Sequence, residues 1–208
     1  MQGIFISFEG PDGSGKTTQV RLLAQMLADS GARVTVTREP GGTPLGDQLR
    51  QLLLDPAGSV CPETEALLYA AARAQHVTQV IAPALARGEI VISDRYTDST
   101  TVYQGAARSL DAGRLETLTA FAAKGVMPDL TILLDADVAA LRQRVAGRGV
   151  CDRIELEPGG FHEAVRQGFL DLASRYSRIS VVNALDEPSA VQAAIAAIVR
   201  QFLKERQA

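Results

Sequence analysis

Near the start of the chain, Gly10-Pro11-Asp12-Gly13-Ser14-Gly15-Lys16-Thr17-Thr18 carries the spacing G-x-x-x-x-G-K-[ST]. That pattern suits one task, holding a polyphosphate. Glycines let the backbone turn tightly and aim several N–H groups at one anion. A helix starting at the lysine adds the positive end of its dipole. In such a loop Lys16 reaches the outer phosphates and the Thr17 hydroxyl takes a place on Mg²⁺. The flanks fit: Ile4-Phe5-Ile6-Ser7-Phe8 reads as a buried strand, and Val20, Leu22, Leu23, Met26 and Leu27 recur at helical spacing.

Four further groups could work beside this loop. Asp94-Arg95-Tyr96 closes the apolar run Ile90-Val91-Ile92-Ser93. At such a strand end an Asp can hold Mg²⁺ and an Arg can clamp a phosphoryl group with its planar fork. Arg38-Glu39-Pro40-Gly41-Gly42-Thr43 offers another anion contact, with paired glycines that would let a ligand approach the backbone. The plainer alternative there is a turn with a surface salt bridge. Tyr69 and Arg73 share a helix face, an aromatic plate beside a guanidinium, which suits a planar base with carbonyl edges. Spacing alone favours the plainer reading, a core tyrosine with a solvated arginine, and His76 reads as structural. Last, Arg142, Arg144, Arg148 and Arg153 surround glycines 147 and 149. Arginines on a Gly-hinged segment can close on a moving phosphoryl group and exclude water, although most charge runs are solvated helix ends.

The elements that must position these groups alternate. Strands are expected at Val34–Thr37, Ile90–Asp94, Leu130–Asp135 and Ile179–Val182 in addition to the first. Helices are expected after the phosphate loop, around Leu45–Leu53, from Pro62 towards Arg87-Gly88 with a bend at Pro83, around Leu115–Ala122, at Leu141–Val145 stopping at Gly147, from Phe161 to Tyr176, and from Ser189 to Leu203. Alternation of this kind implies an α/β fold: a five-stranded parallel sheet flanked by helices, a three-layer P-loop sandwich, with ligands at the carboxyl ends of the strands. The chain reads as a single P-loop domain over residues 1–208, with a short arginine-rich lid at about 144–157.

Bulk properties exclude other classes. A chain of 208 residues can bury a sizeable core, and 46% hydrophobic with 22% charged residues is ordinary for a globular protein. A net charge of −3 gives no electrostatic case for nucleic acid. No segment reaches membrane-spanning length, the first strand is expected almost at once with no basic region or long apolar segment before it, and Cys61 and Cys151 lack metal-ligand spacing. A reduced, cytoplasmic setting is the expectation.

Taken in order, several of these stretches resemble the thymidylate kinase family within the nucleoside monophosphate kinases. They are Phe8-Glu9-Gly10 to Thr18, Arg38 to Thr43, Tyr69 to His76, Asp94-Arg95-Tyr96 with Ser99, Tyr103-Gln104-Gly105, and Asp152-Arg153-Ile154-Glu155. The resemblance spans nearly the whole chain. It implies ATP-dependent phosphorylation of dTMP to dTDP, with Mg²⁺, in a homodimer. Lys16 and Thr17 would serve ATP and metal, with Asp94 as a second metal ligand. Asp12 would contact the sugar 3′-hydroxyl. Arg38 and Arg95 would hold the acceptor phosphate, Arg73 the thymine carbonyl edge, and Gln104 and Thr100 the same base. Tyr69 would stack on the base, where the family usually has Phe, and Tyr103 would select deoxyribose. Ala72 stands where an acid is common. Gly13 stands where some relatives carry an arginine, and loops without it resemble the bacterial type, which supplies that charge from the lid. Arg148 and Arg153, and then Arg144, are the lid candidates.

Two rivals remain at this level. One is a kinase for a different small acceptor. The other is a nucleotide switch, since Asp55-Pro56-Ala57-Gly58 matches D-x-x-G, but it follows a helix and no N-K-x-D occurs.

Overall fold

The computed structural model describes residues 3–147, 149 and 151–207. Five parallel strands, β1 (Ile4–Glu9), β2 (Val34–Arg38), β3 (Ile90–Asp94), β4 (Leu130–Asp135) and β5 (Ile179–Asn183), form one sheet in the order β2-β3-β1-β4-β5. β1 and its neighbours read as unbroken apolar runs because both their faces are covered. Ile6, Phe8, Ile92, Ile132 and Leu134 point to one side, against Val20, Leu23 and Leu27 of α1 (Lys16–Asp29) and the buried side of the closing helix. Phe5, Val91 and Leu133 point to the other.

That second side is covered by α2 (Pro44–Leu54), α3 (Pro62–His76), α4 (Ala82–Ala86), α5 (Thr97–Thr100), α6 (Ala112–Ala123) and α8 (Gly159–Arg175), whereas α7 (Val138–Ala146), which follows β4, places Leu141 in the core of the first side. The last helix, α9 (Pro188–Gln207), packs on α1 and β5. Among the described residues no helix is long and apolar enough to cross a membrane.

Two local departures from the sequence reading matter. Between α3 and α4 the helix does not simply bend at Pro83; it widens into a π turn over Val77–Ile81. Proline 83 lacks the N–H that the carbonyl four residues earlier needs, and a wide turn just before it relieves the mismatch. The second departure is α5 with its π-helical continuation Thr101–Ala107, which the apolar spacing did not reveal. Its buried residues include Thr97, Asp98, Thr100 and Gln104, so the face turned inward is largely polar. Asp98 is held by Arg178 through two bonds of 2.7 Å.

Strand register lines up the working groups. Phe8, Asp94 and Arg38 are partners across β1, β3 and β2, so their successors leave the sheet side by side. The Arg95 N–H still bonds the Phe8 carbonyl at 2.8 Å.

Candidate active site

The phosphate loop has the expected form. Gly10 has φ 138°, and a Cβ there would lie 2.4 Å from the Leu134 carbonyl oxygen, so only glycine fits. Gly13 has φ 84° and its absent Cβ would meet the Leu141 carbonyl oxygen at 2.9 Å. An arginine at that position would be strained and crowded. Lys16 folds back over the loop, donating to the Gly10 and Pro11 carbonyls at 3.0 and 2.9 Å. Burial, and then the charge of Arg95, lower the Lys16 amine to about 8. Ser14 is buried in the loop, while Gly15, Thr17 and Thr18 open on a groove beside α1.

Thr17 donates to Asp94 at 2.7 Å, which joins the helix start to the end of β3. A hydroxyl against a carboxylate at the mouth of a phosphate cradle is an oxygen donor set that suits Mg²⁺, which takes one or two protein ligands and completes its shell with phosphates and water. Among the described residues no cluster of three or more His, Cys, Asp or Glu could hold a metal without such help.

Arg95 is the centre of the site. It sits at φ 73°, unusual for a residue with a side chain. Its Nη1 donates to the Gly10 carbonyl and to Ser99 Oγ, both at 3.0 Å. Its Nη2 donates to Asp12 Oδ1 at 2.6 Å and to the Tyr103 hydroxyl at 3.1 Å. Tyr103 in turn donates to Asp12 Oδ2 at 3.0 Å. Burial alone would raise the Asp12 carboxyl, but the charges of Arg95 and Lys16 outweigh it and hold the group well below the usual carboxylate range. Glu9, fully buried, supports the loop from beneath by accepting from the Tyr96 N–H at 2.8 Å and from Ser99 at 2.6 Å. Burial, with Asp98 in the same sense, pushes Glu9 up to about 8.

Beyond Arg95 lies a cleft of about 520 Å³, counting its open mouth, walled by Tyr69, Arg73, Thr100, Tyr103, Gln104 and Arg50. Arg73 is almost fully buried and rigidly held. It donates to Glu39 at 2.8 Å, to Thr100 at 2.9 Å and to the Tyr96 carbonyl at 3.1 Å. Three of its five N–H groups are so used, which leaves one hydrogen on each terminal nitrogen. Glu39 also bonds His76, which bonds Thr37, so His76 is a link in a buried chain. Tyr69 is half-buried, and burial followed by Glu65 pushes its hydroxyl well above the ordinary tyrosine range. Ala72 is packed in the core, where an acid would need a buried partner.

Several expected contacts fall out differently. Arg38 does not line this cleft; it is exposed on the open groove and paired with Asp47 at 2.9 Å. Exposed pairs are weak, worth about 0–1 kcal/mol, so an arriving phosphate can draw it away. The paired glycines make room for the protein itself: a Cβ at Gly42 would strike Thr37 and His76, and one at Gly41 would strike Asp47. Arg153 is not brought to the phosphate loop. It donates to the Leu53 carbonyl at 2.9 Å and to Glu65 at 2.6 Å, on the cleft side of the site. A buried carboxylate attracts the nearest guanidinium, and Glu65 is that carboxylate. Arg144 donates to the Ala184 carbonyl at 2.8 Å. Arg148 lies outside the described residues. The Asp152-Arg153-Ile154-Glu155 stretch is a self-capped turn, with Asp152 accepting from the N–H groups of Ile154 and Glu155, both at 2.9 Å.

Sequence reading missed Glu65, Arg50 and Glu9. Glu65 precedes Tyr69 by four positions, as Tyr69 precedes Arg73, so one helix face carries all three. That spacing was the available signal. Arg50, which donates to the Pro40 carbonyl at 3.1 Å, had none.

Known proteins resemble this chain over nearly its full length. A family model described as Thymidylate kinase matches residues 8–195. A thymidylate kinase of Clavibacter michiganensis subsp. michiganensis is 52% identical over 197 residues, covering 94% of this chain and 93% of that protein. One of Deinococcus radiodurans is 50% identical over 201 residues, covering 96% and 98%. The crystal structure of thymidylate kinase from Ehrlichia chaffeensis superposes with a TM-score of 0.80 at 32% identity, covering 96% of this chain and all 100% of the other. With the phosphate cradle and the arginine-floored cleft meeting at one guanidinium, and likeness of this depth from end to end, the chain belongs to the thymidylate kinase family.

Proposed function

We propose that the chain transfers the γ-phosphoryl group of ATP to dTMP, giving ADP and dTDP. The observation that carries this reading is the position of Asp12 and Arg95, which line both the cleft and the open groove of the phosphate loop. Two nucleotides lying end to end, one in each, bring their phosphates together there. An oxygen of the dTMP phosphate attacks the γ-phosphorus in line, and the bond to the β-phosphate oxygen breaks. The attacking oxygen is already a nucleophile, so no protein base is needed, and catalysis is positioning and charge neutralisation.

Gly10 to Thr18 hold the triphosphate, with Lys16 leaving its loop carbonyls for the outer phosphates. Arg95 holds the acceptor phosphate, and Arg38 joins it on release from Asp47. Arg73 offers its two remaining hydrogens to the carbonyl edge of thymine, Tyr69 stacks on the ring, and Thr100 and Gln104 reach the same base. Tyr103 fills the space beside the sugar, and Asp12 takes the 3′-hydroxyl. Thr17 and Asp94 would hold Mg²⁺, which offsets charge on the phosphates. Residues 144–157 form the lid of a single domain, with Arg148 its arginine for the moving group.

The enzyme acts as a cytoplasmic homodimer. The free thiols Cys61 and Cys151 fit a reducing compartment, and a second copy would cover exposed Leu52, Leu67 and Phe121. A substrate panel tests the assignment: ADP release with dTMP and dUMP against CMP, AMP and thymidine. Preference for dTMP is expected; turnover of another acceptor in its place would overturn the reading.

A further inference from the structure

Glu65 is fully buried and is not among the residues that line the cleft. It lies on α3, beneath the cleft, and donors from two other segments converge on it. Its Oε1 accepts from Gln104 Nε2 at 2.8 Å and weakly from Arg108 Nε at 3.4 Å. Its Oε2 accepts from Arg108 Nη2 at 3.2 Å and Arg153 Nη2 at 2.6 Å. Arg108 also pairs with Glu157 at 2.6 Å.

The consequence lies in Gln104. An amide has one donating and one accepting end, and which end faces a ligand depends on what holds the other. A carboxylate flanked by two guanidiniums can only accept, so it takes the amide nitrogen. Gln104 is nearly buried and lines the cleft. Its carbonyl oxygen accepts no hydrogen bond among the described residues and is the end left for a base. We propose that Glu65 is a positioning residue that sets the hydrogen-bond polarity of the base pocket. By holding the Gln104 nitrogen it makes the pocket accept from the base at this point. Thymine and uracil carry a hydrogen on N3 and satisfy that acceptor. Cytosine carries a lone pair on N3 and sets oxygen against nitrogen with no proton between them. This deepens the assignment of a pyrimidine monophosphate to the cleft and rests on it.

The arrangement of charges indicates how to invert the pocket. In Glu65→Gln, the two guanidiniums on the Oε2 side claim the new carbonyl oxygen. The new NH₂ group then faces Gln104, whose carbonyl must turn to accept from it. The Gln104 NH₂ is thereby turned into the cleft, where it suits the lone pair of cytosine. A residue that merely props up the fold would lower all substrates together; this one changes their order.

The experiment measures kcat/KM for dTMP and dCMP, and KM for ATP, in the wild type, Glu65→Gln and Gln104→Leu. In Glu65→Gln the dTMP-to-dCMP ratio should fall by at least about tenfold while KM for ATP stays within about twofold, because one buried hydrogen bond changes sign. Gln104→Leu leaves both arginines on Glu65 and covers the case in which Glu65→Gln fails to fold. It removes the acceptor, so dTMP should lose about tenfold or more and dCMP much less. A dTMP-to-dCMP ratio unchanged from the wild type in either folded variant overturns the inference. A wild type that does not phosphorylate dTMP overturns the reaction assignment itself, a separate result.

Discussion

Replacing Arg95 by alanine is the sharpest test of the site. In the free enzyme all four terminal hydrogens of this guanidinium are engaged, by Gly10, Ser99, Asp12 and Tyr103. These bonds fix its position before any nucleotide arrives, and a phosphate takes its terminal hydrogens by displacing one or more of them. Removing one preorganised donor from the charge that develops in a transition state costs about 3–4 kcal/mol, or roughly 10²–10³ in turnover. Arg95→Ala should lower kcat by at least about a hundredfold on that ground. The stability effect is separate and smaller. Asp12 loses its ion pair but keeps the Tyr103 hydroxyl, and its side chain is 24% exposed, so water replaces part of the loss. A charge-assisted hydrogen bond is worth about 1.5–3 kcal/mol, and the lower end applies here. For a chain of this size that is a fall of about 3–6 °C in Tm. The φ of 73° remains strained in alanine, so no compensating relief is expected. Turnover is read by coupled ADP release and folding by a circular dichroism melt. A variant with turnover within about tenfold of the wild type and a native melt would refute the assignment of Arg95 to the phosphoryl centre.

Two other outcomes follow from the same geometry. Lys16 must be charged to hold phosphate, and its amine is lowered to about 8 in the free enzyme, so kcat/KM for ATP should fall as pH rises through that value. Bound triphosphate favours the charged amine, so kcat should hold to higher pH; a flat kcat/KM profile across pH 7–9.5 would contradict this. Arg73→Met removes the buried partner of Glu39 and the donors to the base. Calorimetric affinity for dTMP should weaken by about a hundredfold, and stability should drop by about 3–5 kcal/mol, eased where His76 still bonds Glu39. Unchanged dTMP affinity would show that the base lies elsewhere.

Much of this protein can be read along one dimension. The phosphate loop is a local object, since its glycines, its lysine and the helix dipole behind them are contiguous. The parallel sheet is nearly so, because strands covered on both faces must be apolar throughout, and β3 and β4 were delimited to the residue. Tyr69 and Arg73 share a face by spacing alone. Other features depend on partners distant in the chain. The inward face of Thr97–Ala107 is polar because Asp98 meets Arg178 and Gln104 meets Glu65, and no apolar rhythm announces that. Arg153 is a charge in a run of charges until folding places a buried carboxylate beside it. Gly41 and Gly42 leave room for Asp47 and His76, which only the packed loop shows. Local backbone chemistry is written in neighbouring residues, whereas a buried charge takes its role from whichever opposite charge the fold delivers.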